Sequence, residues 1–307
     1  MAEPQQGRRP GLCITAVGML VLVALTGACG SSLTQPSAVP TPVATPTPPP
    51  PPRVAIISID GLRPDALTET NAPSILALAQ RGAYSLAAQT VFPSTTLPSH
   101  TSMLTGVEPS AHGITFDEYR DTFQLAIPTV FSQVRLAGKR AVVVVGKDKF
   151  RQLAVAGSTD SYTCATRGDV DVVNEAIALL PVGFDLLFVH LPQVDQTGHA
   201  SGWMSAQYAA QLQKTDEAVG RLVSLLPPET TVILTADHGG QLKTHGTRDR
   251  IDMTIPWIIA GPRVVPRGAL TRPVRTVDTA PTVLSLLGLP PPANATGKLV
   301  SEAFEAQ

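Results

Sequence analysis

The amino-acid sequence predicts an α/β protein whose doubly wound, mostly parallel central sheet carries helices on both faces. Five short apolar runs, rich in β-branched residues, are typical of strands that are buried on both sides. Segments with helical periodicity lie between these runs. Because this alternation favours parallel strands joined by crossover helices, the sheet is expected to be mostly parallel.

The strands and helices can be placed along the chain in order. Strands are predicted at 54–59, 141–145, 184–189, 231–235 and 255–259. Helices are predicted at 73–81, 128–137, 170–180, 205–226 and 279–287. The first of these helices has clear boundaries, since Pro73 suits a first turn and Gly82 stands just past the end.

Composition limits the class of protein and its partners. The chain has 307 residues, 43% of them hydrophobic, which suits one large core or two small ones. Lys and Arg number 23 against 24 Asp and Glu, so the charge balance gives no indication of a nucleic-acid partner. Three cysteines cannot form a disulfide framework. The sequence leaves the oligomeric state open.

The first 52 residues are not expected to belong to the fold. Residues 1–29 combine the pair Arg8-Arg9, an apolar run and a small-residue end at Cys29, which predicts a signal peptide. The end of this segment resembles the bacterial lipobox, in which the cysteine is lipidated. The expected product is an exported lipoprotein, held through Cys29 on the periplasmic or outer face of a membrane. Cleaved soluble export and a retained membrane anchor are the alternatives.

A proline-rich tether is predicted between this segment and the folded part of the chain. Residues 30–52 include nine prolines from Pro36 to Pro52, a composition that favours an extended polyproline II chain over a packed core. Residues 53–307 then form a single predicted domain. A membrane anchor followed by a stiff spacer would hold that domain away from a lipid surface.

Acidic residues and histidines follow the predicted strands at the points where the strands end. Asp60 follows the first strand, and Asp237 and His238 follow the fourth. Because ligand sites of open α/β sheets form beyond the carboxyl ends of the strands, these side chains are expected to converge. The full candidate set is Asp60, Asp195, His199, Asp237, His238 and His245.

The chemistry of this set suits a divalent transition metal, zinc before others, because carboxylates and imidazoles are its usual ligands. Six ligands suffice for two three-ligand sites with open positions. Two such metals can hold both the attacking and the leaving oxygen of a phosphoryl displacement. Any one of the motifs alone is better explained as an ordinary turn. Their joint occurrence at strand ends favours the metal site.

Thr96 is the candidate nucleophile. A short helix is predicted at 98–105, beginning at Pro98 and ending at Gly106, with Thr96 just before it. The unpaired amides and the dipole of a helix N-terminus favour an anion, and a threonine hydroxyl that ionises there could attack phosphorus. Ordinary N-capping by a threonine is the alternative.

Several motifs, taken together, resemble those of the alkaline phosphatase superfamily, and most of all its type I phosphodiesterase/nucleotide pyrophosphatase branch. The resemblance spans about 53–299. The matching stretches include Ile59-Asp-Gly-Leu-Arg-Pro-Asp65, Thr96-Leu-Pro-Ser-His-Thr-Ser-Met-Leu-Thr-Gly106, Asp195-Gln-Thr-Gly-His199 and Thr235-Ala-Asp-His-Gly239.

This resemblance implies a phosphoric ester hydrolase that uses two zinc ions and acts on a small phosphate ester. Thr96 would attack phosphorus and form a phospho-threonine intermediate, which water then hydrolyses. Whether the substrate is a monoester or a diester stays open. The implied ligands are, for one zinc, Asp195, His199 and His245 and, for the other, Asp60, Asp237 and His238.

Three candidate substrate-binding residues lie where the chain departs from the family pattern. Asp117 stands where the family often has an asparagine that donates to a phosphate oxygen, and a carboxylate there would repel a phosphate dianion. Lys147 and Lys149 follow the predicted strand 141–145 and could supply the missing positive charge, which favours monoester substrates. Two solvated surface lysines are the alternative.

Two other functions agree with parts of the sequence. A cell-surface binding protein with a degenerate hydrolase site would account for Asp117, although Thr96 and all six candidate ligands are intact. A sulfatase is the nearest other enzyme, but the cysteine and arginine of its signature are missing from the stretch Thr96-Leu-Pro-Ser-His100. The phosphoric ester hydrolase is therefore favoured.

Overall fold

The computed structural model describes residues 50–304 of the chain. Within that range the strands are Arg53–Ile59 (β1), Ala83–Gln89 (β2), Ala141–Val145 (β3), Ser161–Cys164 (β4), Leu186–Leu191 (β5), Thr230–Thr235 (β6), Thr254–Ala260 (β7) and Gly268–Ala269 (β8). The helices are Pro73–Gln80 (α1), Thr96–Thr105 (α2), Pro109–His112 (α3), Val130–Leu136 (α4), Asp169–Leu179 (α5), Gln193–Ser201 (α6), Ala206–Leu225 (α7), Arg250–Met253 (α8) and Thr279–Leu286 (α9).

The eight described strands form one sheet in the order β4-β3-β5-β1-β6-β7-β2-β8. All neighbouring strands are parallel except at β7, which runs antiparallel to both β6 and β2. The central strands β1, β5 and β6 are buried along their whole length apart from Arg53. The predicted mostly parallel sheet is therefore confirmed, and burial on both faces explains why its central strands are so apolar.

The longer helices pack in two groups, one on each face of the sheet. In the first group, α7 contacts α1, α5 and α6. In the second group, α2, α4 and α9 contact one another. The helix α7 carries a buried apolar stripe, since Tyr208, Leu212 and Leu222 are fully buried. These two layers complete the doubly wound architecture that the alternation of patterns predicted.

The register of the three central strands aligns their carboxyl ends. Ser58 of β1 pairs with His190 of β5 on one side and with Thr235 of β6 on the other. Asp60 therefore follows β1 beside the end of β5, and Asp237 follows shortly after the end of β6. Residues that are far apart in sequence consequently arrive at one edge of the sheet.

Three described elements, β2, β4 and α6, have no clear signal in the sequence. The strand β2 contains no β-branched residue, so its local strand propensity is low. It forms because it pairs with β7, and this tertiary pairing outweighs the low propensity. The edge strand β4 has only four residues. The helix α6 contains Gly198, a residue of low helix propensity, so its sequence gives only a weak helix signal. This helix carries Asp195 and His199 one turn apart.

The helix α2 begins two residues earlier than predicted. Its first residue is Thr96, and Thr95 is the N-cap with extended backbone at φ −130° and ψ 165°. Pro98 fits as the third residue because amides in a first helical turn have no helical carbonyl to bond. The prediction that Thr96 precedes the helix is therefore wrong. The predicted end at Gly106 is confirmed, and the left-handed φ of 75° there suits glycine.

The predicted signal peptide 1–29, its Cys29 and residues 30–49 of the predicted tether lie outside the described residues. Residues 50–304 all fall within one compact unit of the chain. In that part of the chain, no helix is both long and apolar enough to cross a membrane.

Candidate metal centre

Six polar side chains converge at the carboxyl edge of the sheet. Asp60 follows β1, and Asp237 and His238 follow β6. The other three are Asp195 and His199 on α6 and His245 on the loop after β6. The structure thus brings together all six metal ligands proposed from the sequence. They fall into two clusters, which we name the deep half-site and the outer half-site.

The deep half-site consists of Asp60, Asp237 and His238, which are all fully buried. His238 Nε2 lies 3.3 Å from Asp60 Oδ1 and 3.3 Å from Asp237 Oδ2. His238 Nδ1 donates to the carbonyl oxygen of Gly239 at 2.7 Å, so Nε2 of the neutral ring presents a lone pair. With the ring neutral, three acceptor atoms would therefore face one another, an arrangement that only a proton or a metal cation relieves.

The outer half-site consists of Asp195, His199 and His245. His199 Nε2 lies 3.4 Å from Asp195 Oδ1 and 3.1 Å from His245 Nε2, which itself lies 3.5 Å from Asp195 Oδ1. Both rings donate Nδ1–H to a backbone carbonyl oxygen at 3.0 Å, His199 to Lys243 and His245 to Ser94. Both Nε2 lone pairs consequently approach the same carboxylate oxygen.

The two half-sites have the chemistry of divalent-metal sites. Within the described residues, four of their buried atoms have no hydrogen-bond partner, namely Asp60 Oδ1, Asp195 Oδ1, Asp237 Oδ2 and His238 Nε2. A buried acceptor without a partner is costly, and a shared cation removes that cost. Two overlapping groups of residues have ligand atoms that lie within 4.8 Å of one another. One group is the deep half-site, and the other joins His238 to Asp195 and His245 of the outer half-site. Mixed carboxylate and imidazole donors fit zinc and related metals.

The charges of the deep half-site are strongly coupled. Burial lowers the pKa of His238, but the carboxylates of Asp237 and Asp60 outweigh burial and raise this pKa to about 10. Burial and the negative charge of Asp60 raise the pKa of Asp237 to about 7. The cluster therefore requires positive charge, which either a proton on His238 or a metal cation in its place provides.

Lys147 connects the two half-sites through the second oxygens of their carboxylates. Its Nζ lies 2.7 Å from Asp60 Oδ2 and 2.7 Å from Asp195 Oδ2. In both aspartates, Oδ1 is the oxygen that faces the ligand histidines, His199 at Asp195 and His238 at Asp60. Burial lowers the pKa of Lys147, but the two carboxylates outweigh burial and raise it well above its usual value. Metal ligation through Oδ1 and ion pairing through Oδ2 are therefore compatible.

Thr96 lies beside this centre as the first residue of α2, with only 1% of its surface exposed. Its Oγ1 lies 3.5 Å from Asp60 Oδ2 and 3.5 Å from Lys147 Nζ. The hydroxyl thus lies between a carboxylate that accepts its hydrogen bond and an ammonium that stabilises negative charge on its oxygen. The helix N-terminus adds to the same positive potential.

The remaining two candidate substrate-binding residues form an ion pair near the start of α2. Asp117 Oδ2 accepts from Lys149 Nζ at 2.8 Å, and Asp117 Oδ1 accepts from the amide N–H of Leu97 at 2.8 Å. The side chains of Asp117 and Lys149 are 36% and 21% exposed. This ion pair therefore lies at the opening of the centre, next to the residue that follows Thr96.

Two buried histidines that the sequence left unexplained also belong to the centre. His190 Nε2 lies 2.8 Å from Asp60 Oδ2 and donates to it, since an ionised carboxylate only accepts. His100 bonds the carbonyl oxygen of Thr96 through Nδ1, and its Nε2 lies 2.8 Å from Ser58 Oγ. Burial lowers the pKa of both histidines to about 4, so both rings are neutral at pH 7.

We expect the substitution His190→Leu to weaken the binding of an added divalent metal such as zinc by about 10- to 100-fold, because it removes the donor that orients Asp60. His190→Gln should keep most of the affinity, since the amide of glutamine can donate from nearly the same position. Competition with a chromophoric chelator measures the affinity without any activity assay. Equal losses in the two variants would show that His190 contributes packing rather than a hydrogen bond.

Comparisons with known proteins show the family to which the chain belongs. Residues 54–248 match the family model described as type I phosphodiesterase / nucleotide pyrophosphatase. The catalytic subunit of GPI ethanolamine phosphate transferase 3 from Mus musculus is 26% identical over 227 residues, which cover 69% of this chain and 20% of the transferase. A 2,3-bisphosphoglycerate-independent phosphoglycerate mutase from Cereibacter sphaeroides is 28% identical over 209 residues, which cover 63% of this chain and 38% of the mutase. The chain therefore spans well under half the length of either relative.

Solved structures share the fold at low sequence identity. An inactive variant of murine ectonucleotide pyrophosphatase / phosphodiesterase 5 in complex with AMP has a TM-score of 0.72 and 15% identity, over 83% of this chain and 100% of that one. A putative sulfatase from Bacteroides thetaiotaomicron has a TM-score of 0.69 and 17% identity, over 84% of this chain and 76% of that one. The fold and the matched sequence together show that the chain belongs to the type I phosphodiesterase/nucleotide pyrophosphatase family of the alkaline phosphatase superfamily.

Proposed function

We propose that this protein is a metal-dependent hydrolase of phosphate esters, with Thr96 as nucleophile and two zinc ions bound by the deep and outer half-sites. One observation carries the proposal. Thr96 Oγ1 lies at a helix N-terminus, 3.5 Å from Asp60, next to two clusters whose acceptor atoms lack hydrogen-bond partners. Bound there, zinc would supply Lewis acidity to phosphoryl oxygens and lower the pKa of nearby hydroxyl groups.

The residues of the chain account for the position and charge of the nucleophile. Asp60 Oδ2 accepts the hydrogen bond of the Thr96 hydroxyl and orients it, and Lys147 Nζ stabilises the negative oxygen that results when the hydroxyl proton passes to the leaving oxygen. As Oγ1 attacks phosphorus, the bond from phosphorus to the leaving oxygen breaks and the phosphoryl group stays on Thr96. Water then attacks phosphorus and loses a proton, the bond to Oγ1 breaks, and that proton restores the Thr96 hydroxyl as the phosphate product leaves.

The alternatives make different demands on this site. A surface binding protein with a degenerate hydrolase site has no need to keep all six ligand side chains and Thr96 within contact distance, as they are here. A sulfatase would need a cysteine in the position of Thr96. The relatives are named for an ethanolamine phosphate and a phosphoglycerate, and a structural neighbour was solved with AMP, which supports a phosphate ester as the substrate.

The test is hydrolysis by the purified full chain after reconstitution with zinc. We expect turnover of p-nitrophenyl phosphate or bis-p-nitrophenyl phosphate above a zinc-only blank, together with about two zinc ions per chain, as the count of ligands implies. A protein that binds about two zinc ions and hydrolyses neither ester would contradict the proposed activity. A protein that binds no zinc would contradict the proposed cofactor.

We further propose that the chain is exported and held at a membrane by a lipid on Cys29, with residues 30–52 as the spacer. The support is the signal-like composition of residues 1–29 and the proline content of the segment that follows. Metabolic labelling with a radioactive fatty acid tests the anchor. Label in the wild type that is lost in Cys29→Ala is expected, and an unlabelled wild type would contradict the anchor.

A further inference from the structure

Asp169 is a buried carboxylate that joins α6, the helix of the outer half-site, to two neighbouring helices. It is the first residue of α5, and only 1% of its surface is exposed. Its Oδ1 accepts the amide N–H of Gln193, the first residue of α6, at 2.9 Å. Its Oδ2 accepts from the hydroxyl of Thr215 on α7 at 2.5 Å. One side chain therefore connects three helices.

The contact between α5 and α6 is reciprocal. The amide N–H of Asp169 donates to Gln193 Oε1 at 2.8 Å, so the start of each helix supplies an acceptor for the other. Amides in a first helical turn have no helical carbonyl to bond, and this exchange satisfies one amide in each helix. Gly168 permits the close approach, because a Cβ there would lie 2.6 Å from Gln193 Cδ. The starts of the two helices are thus fixed relative to each other.

The helix α6 depends on such contacts because its own sequence stabilises it little. Val194 is its only large apolar residue, and Gly198 lowers its helix propensity. It nevertheless carries Asp195, two residues after Gln193, and His199 one turn further along. Because a metal site needs its ligand atoms held to within about 0.5 Å, whatever fixes Gln193 also determines how well the outer half-site is formed.

The interior position is unfavourable for Asp169 itself. Burial raises the pKa of its carboxyl to about 6, so keeping the ionised side chain there costs free energy. An apolar side chain would avoid that cost but would leave the amide of Gln193 without its acceptor. The value of the carboxylate therefore lies in the hydrogen bonds that it accepts.

We propose that Asp169 is a positioning residue for the outer half-site. Through Gln193 it fixes the start of α6, and it thereby sets the place of Asp195 relative to His245, which comes from a different segment of the chain. This inference rests on the proposed binding of a metal by the outer half-site. Asp169 belongs to neither half-site, so it acts on the metal only through α6.

Three variants of the full chain test this role. Asp169→Ala removes both acceptor oxygens, and Gln193→Ala removes the other half of the reciprocal contact. Asp169→Asn keeps an acceptor for the Gln193 amide, and its Nδ2 can donate to Thr215 Oγ1. The Thr215 hydroxyl is then able to donate to the carbonyl oxygen of Gln211, which lies 3.0 Å away. The quantity measured is the zinc affinity of each half-site by competition with a chelator, and the binding step that disappears in His199→Ala identifies the outer half-site.

We expect the affinity of the outer half-site to fall by about 10- to 100-fold in Asp169→Ala, and most of this affinity to return in Asp169→Asn. Gln193→Ala should lower it less, since one of the two reciprocal hydrogen bonds remains. The affinity of the deep half-site should change little in all three variants. An unchanged outer half-site in Asp169→Ala, or equal losses in both half-sites, would overturn the proposal.

Asp216→Ala is the matched control, because Asp216 holds the start of a helix in the same way. It is buried, adjoins Thr215 on α7, and accepts the amides of Ser74 and Ile75 in the first turn of α1 at 2.9 and 2.8 Å. The helix α1 carries no ligand of either half-site. This variant should lose thermal stability, as Asp169→Ala does, yet keep both zinc affinities. A comparable loss at the outer half-site in the control would overturn the proposal, because general destabilisation would then explain both results.

Hydrogen exchange of the metal-free protein separates this inference from the proposed cofactor. The amides of α6 should exchange faster in Asp169→Ala than in the wild type, whereas Asp216→Ala should speed the exchange of α1 instead. A wild type that bound no zinc would contradict the proposed cofactor, and faster exchange confined to α6 would still support the positioning role. Unchanged exchange of α6 in Asp169→Ala would overturn it.

Discussion

The substitution Thr96→Ala is expected to lower phosphate ester hydrolysis by about three orders of magnitude or more, since it removes the attacking oxygen itself. The change deletes only a hydroxyl and a methyl group from a side chain that is 1% exposed. Both half-sites keep all their ligands, so zinc content should stay at the wild-type level. Initial rates with a nitrophenyl ester and metal analysis of the same sample check the two parts of this prediction.

Two control variants sharpen the experiment on the nucleophile. Thr96→Ser keeps a hydroxyl at the same position, and its rate should stay within about tenfold of the wild type, a difference of roughly 1.4 kcal/mol in the barrier. Thr95→Ala changes the adjacent N-cap, whose side chain makes no capping hydrogen bond, and the rate should be close to that of the wild type. Full activity in Thr96→Ala would disprove the covalent mechanism proposed here.

The second large effect is expected from removing one ligand of either half-site. Asp237→Ala disrupts the deep half-site and His199→Ala disrupts the outer one. Each variant should lose about one zinc ion per chain, and activity should fall by roughly two to three orders of magnitude, since a catalytic metal contributes several kcal/mol of charge stabilisation. Zinc content by mass spectrometry and rates measured on the same preparation give both numbers.

The control for these ligand variants is an acidic residue that belongs to neither half-site. Asp65 follows Asp60 by five residues, its side chain is 58% exposed, and it pairs with Arg63. Asp65→Ala should therefore keep its full complement of zinc. If Asp237→Ala or His199→Ala also kept two zinc ions, the assignment of the ligands to two separate half-sites would be wrong.

Much of the candidate metal centre could be predicted because its residues directly follow apolar strands. Asp60 and Asp237 each break an apolar run, and parallel strands end at the same edge of a sheet. His190 has a comparable position at the end of β5, so a signal existed for it as well. It was not assigned because strand β5 includes His190 and continues to Leu191, and nothing local indicates that its ring meets Asp60 from the neighbouring strand.

Other features depend on tertiary contacts that no local pattern encodes. The strand β2 exists through its pairing with β7, and α6 forms despite Gly198. The role of the lysines could not be predicted either. The sequence showed that Lys147 and Lys149 follow a central strand. It did not show that they would form ion pairs with carboxylates from three other segments of the chain.

The unequal burial of the two half-sites predicts different rates of metal release from them. The His199 side chain is 46% exposed, whereas the three ligands of the deep half-site are fully buried. An ion bound in the outer half-site would be able to leave after one imidazole rotates into solvent, and exposed side chains rotate within nanoseconds. An ion bound in the deep half-site would have to wait for rare local opening of the backbone around it. A chelator should therefore strip the protein in a fast and a slow phase, and exchanging the first ion alone would yield a centre that contains two different metals.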